Sequence, residues 1–242
     1  MIESILPSYV ASVDMFDDPA DAPLFPEEEQ IISAAVDKRR KEFTTARLCA
    51  RRAMARLGVP AAPILPGLRG EPQWPKGVVG SMTHCAGYRG AVLALSTRAT
   101  TIGVDAEPHE ALPPGVLDAV SLPAEREHLR ELSRRNRHVC WERLLFSAKE
   151  SVYKAWFPLA QRWLDFEEVA IELDDDRRSF HARILVTGPW VNGAKLTGFS
   201  GRWLVRDRLI LTAIVLPAPA PRPRAFPVLP PERPALPDPP AL

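Results

Sequence analysis

The sequence predicts an α+β fold of two similar halves that meet near Asp105, and three observations predict it. Long helical segments give way to strand-like segments, and that order occurs twice along the chain. The later strand-like segments alternate or run apolar as antiparallel strands do. At 242 residues the chain exceeds one ordinary domain and falls short of two large ones, which suits a single domain of two halves.

Residues 1–26 read as loop with short apolar pieces. The segment 25–58 (FPEEEQIISAAVDKRRKEFTTARLCARRAMARLG) reads as helix, opened by Pro26 and Glu27 to Glu29 and stopped by Gly58. Phe43, Arg47, Ala50, Met54 and Leu57 recur at helical spacing, so Arg47 lies beside the apolar stripe, either snorkelling or aimed at a ligand. Proline and glycine in residues 59–75 make a surface loop able to line a pocket. VVGSMTHC, YRGAVLALS and TTIGVDAE read as three successive strands, the middle one buried. A proline-containing linker (EPHEALPPG), a charged helix from about Pro123 to Arg137, and a helix of roughly 20 residues from Cys140 to Phe157 follow. VAIELDD, FHARILV, SGRWLVRD and RLILTAIVL complete the strands. After Leu216, 11 of 26 residues are proline, a composition that builds no core and favours extended polyproline II or disorder. It reads as a dispensable tail or as a ligand for a proline-recognising partner. The expected division is an N-terminal half 1–104, a C-terminal half 105–216 and a tail 217–242.

A net charge of +1 argues against a nucleic-acid or membrane binder, which carries a large field of one sign. The local charge is more telling. Residues 38–56 hold eight basic side chains against the single acid Glu42, next to an acidic stretch from Asp14 to Glu29, and this marks a candidate anion site. Cys49, Cys85 and Cys140 are odd in number and lack CxxC spacing, which supports neither a disulfide framework nor zinc. The start MIESILPSYV has no basic n-region, and the apolar runs fall far short of the ~18 residues of a membrane span, so the expected location is the cytoplasm.

Two clusters carry chemistry. In TTIGVDAE, Asp105 and Glu107 project from one face of a strand. They are either solvated strand-end acids or ligands of a hard cation such as magnesium, which takes a few carboxylates and fills its shell with water and phosphate oxygens. In FSAKESVYKAW, Ser147, Glu150, Ser151 and Lys154 share a helical face. The Glu150–Lys154 spacing alone is an ordinary surface ion pair of ~0.2–0.5 kcal/mol, and Lys149 adds a third charge.

Taken together, IGVDAE and, some forty residues later, FSAKESVYK resemble the paired signature of the 4′-phosphopantetheinyl transferase superfamily, (I/V)G(I/V)D-x-E and (F/W)(S/C)-x-K-E-(S/A)-x-x-K, with every position filled. The resemblance extends to GEPQWPKGVVGSMTHCAGYRGAV and RRKEFTTARLCAR, covers about residues 25–216, and is similar to the Sfp-type, single-chain branch found in actinobacteria.

The resemblance implies two pseudosymmetric α/β halves with the active site in the cleft between them. It implies transfer of the phosphopantetheine arm of coenzyme A to a serine of apo acyl or peptidyl carrier proteins, with release of 3′,5′-ADP. Polyketide, nonribosomal peptide and fatty acid synthases supply such carriers. Asp105, Glu107 and Glu150 match the metal-binding carboxylates, holding Mg²⁺ or Mn²⁺ against the pyrophosphate. Lys154 matches the lysine on that pyrophosphate, and Lys149 a phosphate-side or structural charge. Glu150 is the expected general base, directly or through a metal-bound water, with Glu107 the competing assignment. Ser81 and His84 match the site for the 3′-phosphate, and Arg39 and Arg47 the grip on the nucleotide phosphates, whereas Arg40, Arg51 and Arg52 are expected to face solvent.

Pro66 stands where relatives often carry a phosphate-holding lysine, and Arg69 is its possible substitute. Trp74, Trp141, Trp156 and Trp163 suit either the core or a ligand groove. The arginine-rich stretch AEREHLRELSRRNRH reads as a carrier-protein contact or a solvated helix face. The expected protein is a monomer that binds neither nucleic acid nor membrane. Two rival readings are a non-catalytic binding module for coenzyme A or a carrier protein, against which the intact acids count, and another magnesium-dependent nucleotide enzyme, for which GxxxxGK[ST] and the kinase motifs are missing.

Overall fold

The computed structural model describes residues 1–220. The expected tail lies outside them except at its start, where Pro217 still belongs to the last strand.

In the N-terminal half, strand β3 (Tyr88–Leu95) is the centre of an antiparallel sheet between β1 (Ala11–Met15) and β2 (Val78–Cys85). It is buried along nearly its whole length, which is why it reads as a continuous apolar run. Strand β1 lies in the segment expected to be loop. Its ladder partner is far along the chain, Ala11 facing Leu93, so nothing local in ASVDM marks it. The long helix α2 (Asp37–Arg56) packs Cys49, Ala50, Ala53 and Met54 against Val13, Ala91 and Leu93.

The single expected helix over 25–58 is two, α1 (Pro26–Ile32) and α2, broken at residues 33–36. The cause is Glu28. It is fully buried, and its carboxylate accepts from Arg51 Nη1 at 2.9 Å, although 23 residues on one continuous helix would span about 35 Å. Folding back is what lets the two meet.

In the C-terminal half, β4 (Ala99–Pro108), β5 (Val169–Asp174), β6 (Ser179–Ile184), β9 (Gly198–Arg206) and β10 (Leu209–Pro217) form one antiparallel sheet in the order β4-β10-β9-β6-β5. A two-stranded hairpin, β7 (Trp190–Val191) with β8 (Ala194–Lys195), sits beside it. Helix α5 (Trp141–Ala160) covers one face, with Leu144, Leu145, Ala148 and Val152 in a core shared with Phe180, Phe199, Trp203 and Ile210. Each of the leucine, valine, isoleucine and phenylalanine side chains contributes about 1.5–3 kcal/mol on burial. The short α3 (Val116–Val120) and the charged α4 (Pro123–Arg135) precede it.

The halves repeat one device. Helices α1 and α4 both begin with an apolar residue, proline and, at the third helical position, a buried glutamate. Glu28 accepts from Phe25 N (3.0 Å), Ile64 N (2.8 Å) and Arg51 of α2. Glu125 accepts from Leu122 N (2.7 Å) and Ile171 N (2.7 Å) and pairs with Lys149 of α5 at 2.8 Å. In each half a capping carboxylate thus ties a short helix to a distant backbone and to the long helix.

The three consecutive strands expected around residue 90 exist but do not form one sheet. Strand β4 joins β10, crosses the expected division at 104/105, and changes sheet membership in the turn at 96–98. Along its other edge it meets β2 through side chains: Val104 N donates to Ser81 Oγ (3.1 Å) and Ala106 N to Thr83 Oγ1 (3.0 Å). Hydroxyls replace the carbonyls of a missing ladder. Beneath this seam Ile2, Ile5, Tyr88 and Val92 pack with Ile102, Val104, Leu209 and Leu211. Among the described residues no helix is long and apolar enough to cross a membrane.

Candidate active site

The approach of α5 to β4 is set by Gly103, where a Cβ would overlap the carbonyl oxygen of Ser151. Thr101 Oγ1 donates to Ala155 O at 2.9 Å and fixes the same crossing. Residues 101, 103, 105 and 107 face the helix, as strand alternation requires. Asp105 is brought under Lys154 in consequence, with Nζ donating to Oδ1 at 2.7 Å and to Val104 O at 3.1 Å. The Thr83 hydroxyl donates to the same Oδ1 at 3.3 Å.

Asp105 Oδ2 is buried and has no hydrogen-bond partner. A buried carboxylate oxygen without a donor is costly. Two further carboxyl groups feel this charge. Burial, then the charge of Asp105, pushes Glu107 above the usual glutamate range against the opposing pull of Arg143. Glu150 is raised for the same two reasons, with Lys154 opposing. Among the described residues no three His, Cys, Asp or Glu side chains are closed into a metal-holding group. Lys154 takes one oxygen of Asp105 and Arg143 Nη1 takes Glu107 Oε2 at 2.8 Å. Hard oxygen donors, an orphaned acceptor and raised carboxyl groups together fit a divalent cation.

Beside this cluster a cleft of about 470 Å³ runs between the halves. It is lined by Arg39, Arg47, Ser81 and His84 from one side and Glu150, Tyr153 and Lys154 from the other, with Arg69 and Trp74 of the proline-rich loop at its wall. Arg39 Nη1 and Glu42 Oε2 each lie 3.5 Å from His84 Nε2. Burial holds the imidazole below its ordinary range despite Glu42, and Arg39, Lys154 and Arg89 push the same way. Arg47 is buried, its guanidinium 3.1 Å from the centre of the Phe43 ring, and Nε donates to Ile64 O at 3.0 Å. Burial lowers it to about 10, which leaves it cationic near neutrality. The snorkelling alternative for Arg47 therefore does not hold.

Not every expected residue is in the cleft. Asp105 and Glu107 are absent from its open lining, and Asp105 reaches it through Lys154. Lys149 is turned the other way, its ammonium bonded to Glu125, Phe166 O (2.7 Å) and Val169 O (3.1 Å), so its geometry is that of the structural charge. Arg51, expected in solvent, is engaged by Glu28 and Pro23 O because the α1–α2 fold-back covers it. Ser81 Oγ, besides lining the cleft, accepts the seam bond from Val104. Trp141 and Trp156 are core, Trp74 is cleft wall, and Trp163 is half exposed.

Sequence reasoning missed Thr83, Glu42 and Arg143. Thr83 lies two residues from Ser81 on β2 and so shares its face, while Glu42 carries no spacing signal. Arg143 does: it lies on the same face of α5 as Glu150 and Lys154, at intervals of two and three helical turns.

Comparison with known proteins bears on this cleft. A family described as the 4′-phosphopantetheinyl transferase N-terminal domain matches residues 27–94, and one described as the 4′-phosphopantetheinyl transferase superfamily matches residues 101–196. The gap between them contains the turn where sheet membership changes. Over 223 residues, 91% of each chain, the sequence is 53% identical to the 4′-phosphopantetheinyl transferase Svp of Streptomyces mobaraensis. It is 50% identical to PptT of Mycobacterium tuberculosis over 89% of this chain and 98% of the relative. It is also 50% identical to Npt of Nocardia iowensis over 88% and 99%, respectively.

Proposed function

The chain belongs to the 4′-phosphopantetheinyl transferase superfamily, and from that premise we propose which of its residues carry the transfer. The enzyme moves the 4′-phosphopantetheine group of coenzyme A to a carrier-protein serine and uses a divalent metal. The serine oxygen attacks the β-phosphorus, a new O–P bond forms, the bond to the adenylate side breaks, and its electron pair leaves with 3′,5′-ADP.

Asp105, Glu107 and Glu150 would hold the metal, and the observation that carries this assignment is the orphaned Asp105 Oδ2, whose carboxylate charge helps raise both glutamates. We take the metal to be Mg²⁺, with Mn²⁺ able to replace it. When bound it offsets negative charge on the pyrophosphate. Lys154 shifts from Asp105 to that pyrophosphate, a short motion since it already lines the cleft. Arg39 and His84 donate to the 3′-phosphate, and Arg47, held rigid by Phe43 and Ile64, backs the same wall with a fixed positive charge. Ser81 stands next to that group. Arg69, three residues after the Pro66 that stands where relatives often carry a lysine, lines the same wall and takes over its phosphate contact.

Glu150 is the base for the serine proton. Of the three carboxylates it alone lines the open cleft, where an incoming hydroxyl can reach it, while Glu107 is tied to Arg143. The non-catalytic alternative is not favoured. The protein acts as a cytoplasmic monomer on acyl and peptidyl carriers of polyketide, nonribosomal peptide and fatty acid systems.

The test is intact-mass spectrometry of an apo carrier incubated with coenzyme A and Mg²⁺, with wild type beside Glu150→Ala. A gain of one phosphopantetheine arm that needs the metal and vanishes in the variant supports the assignment. Equal modification by both sinks it.

A further inference from the structure

We propose that Arg143 is a positioning residue whose backbone-anchored guanidinium holds Glu107 in the orientation it presents to the divalent cation. The inference rests on the reading that Asp105, Glu107 and Glu150 hold that cation. Arg143 stands on α5 seven residues before Glu150 and eleven before Lys154, which at 3.6 residues per turn sets all three on one face of the helix. That face is the one turned toward β4.

The guanidinium fork is used in full. Nε donates to Glu110 O (3.2 Å), Nη2 to Ala111 O (2.8 Å) and Nη1 to Glu107 Oε2 (2.8 Å). Two of these acceptors are main-chain carbonyls in the linker that leaves β4, so the cation is fixed before it meets the carboxylate. Both side chains are shielded, 15% exposed for Arg143 and 18% for Glu107. Among the described residues no hydrogen bond engages Glu107 Oε1. The contact therefore orients one oxygen and leaves the other free. Lysine at this position would keep the charge, but an ammonium cannot reproduce the planar fork across three acceptors, and this separates positioning from charge. Partners that orient metal-ligating groups typically change metal affinity by about 10- to 100-fold when removed.

The experiment is a Mn²⁺ titration of the full chain followed by electron paramagnetic resonance of the free ion, on wild type, Arg143→Lys, Arg143→Gln, Glu107→Gln and Asp105→Asn. Melting in EDTA checks the fold, and transfer is measured across a Mg²⁺ series. Both Arg143 variants are expected to bind Mn²⁺ about 10- to 100-fold more weakly and to regain wild-type kcat at saturating Mg²⁺. In the Glu107→Gln background the Arg143 substitutions are expected to add no further loss, a cycle that isolates the contact from any general destabilisation.

Wild-type affinity in Arg143→Lys reduces the residue to a charge and overturns the proposal. So does a fully additive loss in the Glu107→Gln background, or a kcat that saturating metal does not restore. A wild type that binds no Mn²⁺, or an Asp105→Asn variant that binds it as well as wild type, sinks the metal assignment and this inference with it. Weakened Asp105→Asn beside unaffected Arg143 variants sinks this inference alone.

Discussion

Glu28 and Asp105 are both buried carboxylates packed against the flank of a long helix, and they are treated in opposite ways. Glu28 accepts from two backbone N–H groups and from Arg51, with Arg47 3.7 Å away, so its charge is spoken for from every side. Glu125 repeats that arrangement with Lys149 in the other half. Asp105 has Lys154 and Thr83 on one oxygen and nothing on the other. A satisfied buried carboxylate holds the fold together, while an unsatisfied one near further carboxylates is what the proposed cation would complete. Lys149 and Lys154, five residues apart on one helix, divide along the same line. The first is sealed with Glu125, and the second, paired with Asp105, is 27% exposed in its side chain and lines the cleft.

Breaking the functional side has the largest expected effect. With Glu150 as the proposed base, Glu150→Gln removes the proton acceptor while keeping the side-chain shape, so kcat is expected to fall by about 10²–10⁴-fold with no loss of melting temperature in EDTA. A steady-state assay paired with calorimetry checks both halves of that statement. Breaking the structural side does the reverse. Lys149→Ala strands Glu125 as a buried unpaired charge and destabilises by about 3–5 kcal/mol in urea unfolding, with Mn²⁺ affinity unchanged in the folded fraction.

Gly103→Ala tests the link between the two regions. The added methyl meets the backbone of α5, so about 1–3 kcal/mol of overpacking is expected. Because the helix is displaced relative to Asp105, transfer should fall further than stability does.

The smallest effect is on pH. A carboxyl group whose folded pKa is raised favours the protonated fold. Its contribution is full below the ordinary value of 4.5 and is lost as pH rises through the raised values of Glu107 and Glu150. Metal-free protein should therefore lose stability above the ordinary glutamate range, and added Mg²⁺ should raise the melting temperature more at pH 7.5 than at pH 5.0, since ligands must be deprotonated to bind. A Mg²⁺ increment that is equal at both pH values counts against the carboxylate cluster.

Much of the site was legible before the fold. Strand alternation places Asp105 and Glu107 on one face, helical spacing places Glu150 with Lys154, and apolar runs mark nearly every strand of the second sheet, because these are local periodicities written into consecutive residues. Local pattern is silent where a partner comes from far along the chain. Strand β1 exists because β3 accepts it, α1 separates from α2 because Glu28 reaches Arg51, and Ser81 and Thr83 close a seam between the two sheets.

The sequence by itself determined the segments that repeat on a local period and the family, since composition and spacing are properties of the chain. Tertiary structure alone decided which charges are spent on the fold and which are left for ligand. Lys149 and Lys154 have the same chemistry and the same helix, and only the packing of α4 on one side and the cleft on the other seals one inside and sets the other at the cleft wall.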